Sequence, residues 1–169
     1  MTAPAVDALP PAMLRRLAAF LYEGVLLFGV VFFAGYLFSV STSQHHALQG
    51  RHTLGAFLFV VIGIYFVWFW SRSGQTLALK TWHLRVVTLD GQPVGQWRAL
   101  LRSLLAWLWL LPALVSAWAM EIHSGGALSA IVLGGMVAYA MLAKLHPQQL
   151  LLHEALSGTR VVNQFPTPR

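Results

Sequence analysis

The sequence predicts an all-α membrane protein: a bundle of about four transmembrane helices with a short cytoplasmic β-hairpin-like loop between helices 2 and 3. Three observations predict it. Of 169 residues, 57% are hydrophobic and 9% are charged, where soluble domains run near about 25% charged. The apolar residues gather into runs long enough to cross a ~30 Å hydrocarbon core at ~1.5 Å per residue. The basic residues sit at the ends of those runs, where membrane topology places them.

Residues 1–13 form a Pro- and Ala-rich tail whose only charge is Asp7. Residues 14–162 read as one membrane domain, and 163–169 as a C-terminal tail. The first span runs from about Arg15 to Val40. Its apolar run is too long for a signal h-region and contains Glu23, so it is expected to stay uncleaved. A polar loop, Ser39 to Thr53, carries His45, His46, Arg51 and His52. The second span, Leu54 to Ser71, ends in Trp68, Phe69 and Trp70, an expected interfacial belt. Residues 72–98 are polar. Trp82 to Thr88 alternates and is β-rich, and Asp90-Gly91 is a hairpin turn signal. The third span, Ala99 to Met120, contains Pro112, where a kink is tolerated in a membrane. The fourth, Ala127 to Leu145, presents Ala130, Gly134 and Ala138 at four-residue spacing, an expected helix contact within the bundle or between copies. Gln148 to Leu156 suits a short surface helix stopped by Gly158. Arg160-Val161-Val162 suits a strand added to the hairpin.

Ten of the eleven Lys and Arg residues fall on one side of this topology, and only Arg51 falls on the other. The bias puts both termini in the cytoplasm and makes the number of spans even. It also explains the net charge of +6 without nucleic acid, since no basic run exists. The chain has no cysteine, which excludes disulfides, thiol catalysis and thiolate metal sites. No metal site or cofactor is expected. The histidines of the outer loops, His123 included, match no zinc spacing. No triad, phosphate loop or dinucleotide motif is present, so an enzyme is not expected.

Glu23 is the one acid of the first span, roughly 9 Å into it counted from Leu17. A carboxylate there costs about 2.5–3.5 kcal/mol on insertion scales unless it is paired, protonated or wet. Arg16, seven residues earlier, lies within about 20° of the same helix face. The pair therefore reads either as a proton- or cation-handling carboxylate or as a structural ion pair. Arg16, Glu23, Arg102 and Glu154 all fall near one membrane face. They are expected to form a single polar cluster locking the tail under the bundle. The basic residues of the polar loop suit anionic lipid headgroups.

Three stretches together resemble the RDD family of small integral membrane proteins. They are Arg16-x-x-Ala19-x-x-x-Glu23; Gly74-Gln75-Thr76 through Lys80 and Arg85 to Asp90-Gly91-Gln92-Pro93 and Arg98-x-x-x-Arg102; and His153-Glu154-x-Leu156-Ser157-Gly158-Thr159-Arg160-Val161-Val162. Glutamates stand where the family usually has aspartates. Some members have been proposed as sodium/proton antiporters. The resemblance thus implies a transport or ion-homeostasis role in a bacterial inner membrane. The alternative is a non-catalytic assembly factor or auxiliary subunit. A homo-oligomer is compatible with either.

Overall fold

The computed structural model describes residues 11–42, 51–122, 124–145 and 150–164. Helix α1, Met13–Ser41, starts where Pro10 and Pro11 stop and the Ala12 carbonyl accepts the Arg15 and Arg16 N–H groups. Helix α2 spans Arg51–Arg72. A short helix α3, Leu77–Thr81, leads into strand β1, Leu84–Thr88. Helix α4, Gln96–Leu105, passes through a 3₁₀ turn at Ala106–Trp109 into α5, Leu110–Ala119. Helix α6 covers Gly125–Leu145, α7 covers Leu152–Ser157, and strand β2 covers Thr159–Asn163.

Among the described residues, three helical stretches are long and apolar enough to cross a membrane: Met13–Ser41, His52–Arg72 and Gln96–Ala119. Gly125–Tyr139 is a shorter apolar helix. The long helices touch in chain order, α1 on α2, α2 on α4 and α5 on α6. Their outward faces are apolar: α1 exposes Phe28, Phe32 and Phe33. A helix can do this in lipid, where every backbone group is satisfied internally and the outer side chains meet acyl chains. The 3₁₀ turn lies just before Pro112, whose missing N–H and ring oppose the bond to the carbonyl four residues back. Close packing of α5 and α6 is made at Gly135, where a Cβ would sit 3.2 Å from that of Ala113.

The other elements form a small cap at one end of the bundle. Strands β1 and β2 pair antiparallel, with Leu84 opposite Asn163 and Thr88 opposite Thr159. Trp70, Val86, Val94 and Ala99 form the cap's core, with Phe66, Val67, Leu79 and Val161 packed against it.

Several expectations change here. Strand β1 pairs with the C-terminal β2, not with the residues after its own turn. The Asp90-Gly91 turn does fold back: Gly91 is at φ +78° and the Thr88 N–H reaches the Gln92 carbonyl at 2.9 Å. Pro93 has no N–H to extend a ladder, and the chain enters α4 at Gln96. Trp70 is core, not interface. Ala130, Gly134 and Ala138 face outward, so the helix contact within the bundle is made at Gly135 and not at that face. The surface helix starts at Leu152, later than expected, and Gly158 at φ +63° ends it. Ser39–Ser41 and Arg51–Thr53 belong to helices α1 and α2. His45, His46 and His123 lie outside the described residues, as do most of both tails.

Candidate functional site

The four charged residues expected in one cluster divide between two. The first is built on Glu154, which is fully buried. One carboxylate oxygen, Oε2, accepts from Arg16 Nη2 at 2.5 Å and from the Leu151 N–H at 3.1 Å. The other, Oε1, accepts from Arg102 Nη2 at 3.2 Å. Glu154 is the third residue of α7, so the bond to Leu151 also caps that helix. Arg102 donates through Nη1 to Thr159 Oγ1 at 2.7 Å, and its guanidinium lies 5.1 Å from the centre of the Trp70 ring. Thr159 in turn shares a 2.7 Å hydroxyl bond with Ser157. One carboxylate thus ties α1, α4, α7 and the start of β2 together.

Electrostatics decide its state. Burial alone would push the Glu154 carboxyl up, but Arg16 and Arg102 overcome this and hold it down at about 2. Beside it, the His153 imidazole is driven down to about 3 by burial first and by the Arg102 charge second, against the pull of Glu154. Its Nδ1 lies 2.8 Å from the Tyr139 hydroxyl on α6. The His153 N–H donates to the same hydroxyl oxygen at 3.1 Å, so the hydroxyl hydrogen is left for Nδ1.

The second cluster is built on Glu23, also buried. Tyr65 on α2 donates its hydroxyl to Glu23 Oε1 at 2.7 Å. Thr76 donates to Glu23 Oε2. The Thr76 oxygen also accepts the Leu79 N–H at 3.3 Å, capping α3. Glu23 therefore joins α1, α2 and α3 through neutral donors. Among the described residues it makes no salt bridge. The expected Arg16–Glu23 pair is replaced by Arg16–Glu154. Seven residues of helix separate Arg16 from Glu23 by about 10 Å along the axis, while the tail brings Glu154 directly to Arg16.

The loop residues singled out by sequence serve the cap in different ways. Gly74 stands at φ +70°, and a Cβ there would meet the Val86 carbonyl oxygen at 2.7 Å. Its own carbonyl accepts the Val86 N–H at 2.8 Å. Gln75 donates its amide to the Leu84 carbonyl at 2.6 Å. Asp90 and Gly91 form the turn after β1. Arg85 is half-buried on that strand, and Lys80 and Arg98 are exposed. Sequence reasoning missed Tyr65, Tyr139 and Thr159 as partners. Tyr65 stands in a run of aromatics that resembles lipid-facing surface, and no local pattern distinguishes it. Among the described residues no group of three or more metal-binding side chains is assembled.

The RDD family model matches residues 10–158. Neither a curated protein nor a solved structure matches the chain.

Proposed function

This chain belongs to the RDD family, and from that footing we propose that it is a non-enzymatic membrane protein exchanging protons and monovalent cations at Glu23. One observation supports this reading above the others. Glu23 is a buried carboxylate within a membrane-long helix, held among the described residues by the hydroxyls of Tyr65 and Thr76. An arginine beside it would neutralise it and oppose a cation. Arg16 instead makes its ion pair with Glu154, and the donors to the Glu23 carboxylate among the described residues are neutral hydroxyls. Hydroxyl and carboxylate oxygens are also the ligand type that hard cations take. In this reading α6 is a fourth span, both termini are cytoplasmic, and the membrane is a bacterial inner membrane. The outward Ala130, Gly134 and Ala138 face is available to a second copy.

The test is a pH-gradient dequenching assay in proteoliposomes challenged with sodium, lithium and potassium. Wild type should move protons in a cation-dependent way, and folded Glu23→Gln should not. Equal movement by both would remove Glu23 as the carrier. No movement by folded wild type would favour the second reading, a non-catalytic assembly factor or auxiliary subunit. That reading draws on the way each carboxylate joins several elements.

A further inference from the structure

We propose that Arg85 and Arg160 form a binding site for a phosphate group on the face of the β1–β2 ribbon that they share with Val87 and Val162, a site separate from Glu23. The strand register places them together. Arg85 lies opposite Val162, and Val87 lies opposite Arg160. Side chains alternate along a strand, so these four share one face, while Leu84, Val86 and Thr88 share the face toward the cap core. The two arginines are diagonal neighbours across the ribbon, a spacing of about 7–8 Å or somewhat less between Cβ atoms, within reach of one anion for side chains of this length.

This face is closed around its valines and open in its charge. Val87 and Val162 are each 3% exposed. The Nε atoms of Arg85 and Arg160 are shielded from solvent and have no hydrogen-bond partner. Among the described residues neither guanidinium has a salt-bridge partner. None of the described acids makes a salt bridge to either arginine. Glu154 is taken by Arg16 and Arg102, Glu23 by two hydroxyls, and neither Asp90 nor Glu121 makes a salt bridge among the described residues. A shielded donor without an acceptor is costly, and an anion with several oxygens would satisfy both arginines at once. Guanidinium forks match phosphate in shape as well as charge.

Arg85 is held in place for this. A Cβ on Gly74 would lie 3.0 Å from both Arg85 Cγ and Arg85 Nε. The bare backbone of Gly74 therefore gives the Arg85 stem its berth. The same Arg-Val-Val triplet occurs at 85–87 and at 160–162, so each strand contributes one guanidinium and one valine to the shared face. The phosphate has two available sources, a lipid headgroup at the membrane surface and a free phosphate in solution.

The experiment is thermal unfolding of the full chain in neutral detergent at constant ionic strength. One arm titrates inorganic phosphate and the other short-chain phosphatidylglycerol. A saturable rise in Tm in either arm is expected, and the arm that gives it identifies the source. In Arg85→Gln/Arg160→Gln the midpoint of that rise should move at least about tenfold to higher ligand, the loss expected for charge-assisted bonds. Lys80→Gln/Arg98→Gln removes the same charge from exposed positions of the cap and should leave the midpoint unchanged. Arg85→Lys/Arg160→Lys keeps the charge and should still weaken binding, which covers the case where the glutamine variant does not fold. The proposal is overturned if neither probe stabilises wild type saturably. It is equally overturned if the exposed-site variant weakens binding as much, or if the lysine variant binds as tightly as wild type.

Discussion

At the residue scale, the protein treats its two buried glutamates in opposite ways. Glu154 is surrounded by positive charge and Glu23 by neutral hydroxyls. Glu154→Gln leaves two guanidiniums facing a neutral amide. It should cost about 3–5 kcal/mol, read as a large drop in Tm in detergent. The acid response follows from the same site. Glu154 ionises near 4.5 when unfolded and near 2 when folded, so its contribution is present above 4.5 and lost as pH falls toward 2. His153 runs from 6.5 unfolded to about 3 folded, and the fold favours its neutral form. Its contribution is therefore full above 6.5 and lost as pH falls toward 3. Stability should begin to decline below pH 6.5 through His153, before Glu154 adds its own loss. His153→Asn, which keeps an acceptor where Nδ1 lies, should flatten that part of a Tm-against-pH curve. The carboxylates themselves were legible in the sequence, because an acid inside an apolar run stands out. Arg16 and Arg102 fall in the expected cluster with Glu154, whereas Tyr65 and Thr76 as the partners of Glu23 were not legible. Arg16 and Glu23 share a helix face, but that periodicity carries no information about a tail residue 138 positions away.

At the element scale, short pieces of structure depend on single side chains. Helix α3 has five residues, too few to hold itself together by propensity. Its N-terminus rests on Thr76, which Glu23 holds from the other side. Thr76→Val keeps the shape and removes the hydroxyl. It should cost about 1 kcal/mol or more and raise amide exchange across 77–81. Gly74→Ala should cost more, on the order of 2–3 kcal/mol, combining a left-handed backbone with a clash against a carbonyl. A Tm close to wild type in that variant would show that the 74–86 contact yields easily. The apolar helices were legible because hydropathy over some twenty residues decides them. Strand β1 was legible from its alternation and its turn, and Arg160-Val161-Val162 as an added strand, yet the expected hairpin return after the turn does not form. The turn signal pointed to the next few residues, and Pro93 with the α4 start made that pairing impossible. Trp70 illustrates the same limit. An aromatic at a helix end suits an interface, and only the folded cap shows that Val86, Val94 and Ala99 enclose it.

At the scale of the whole molecule, the chain encloses several polar and charged side chains while it leaves many large apolar ones exposed. Glu154, Arg102 and Thr159 are enclosed, while Trp97, Leu100, Leu152 and Leu156 lie outside. The natural cysteine-free background makes the four-span proposal directly testable by single-cysteine labelling with an impermeant reagent. Cysteines at positions 90 and 164 should be labelled from one side of the membrane, and those at 42 and 121 from the other. Labelling of 121 and 164 from one side would reduce the spans to three. The β1–β2 ladder has a consequence for the order of assembly. Strand β1 leaves the ribosome some seventy residues before the partner that completes it, and Arg16 leaves 138 residues before Glu154. Until residues 154–163 emerge, the nascent protein carries an open strand edge and an open Glu154 site at one end of the bundle. A truncated product never closes them. Residues 154–163 therefore act as a closing seal, separating molecules whose cap is complete from those whose cap is not.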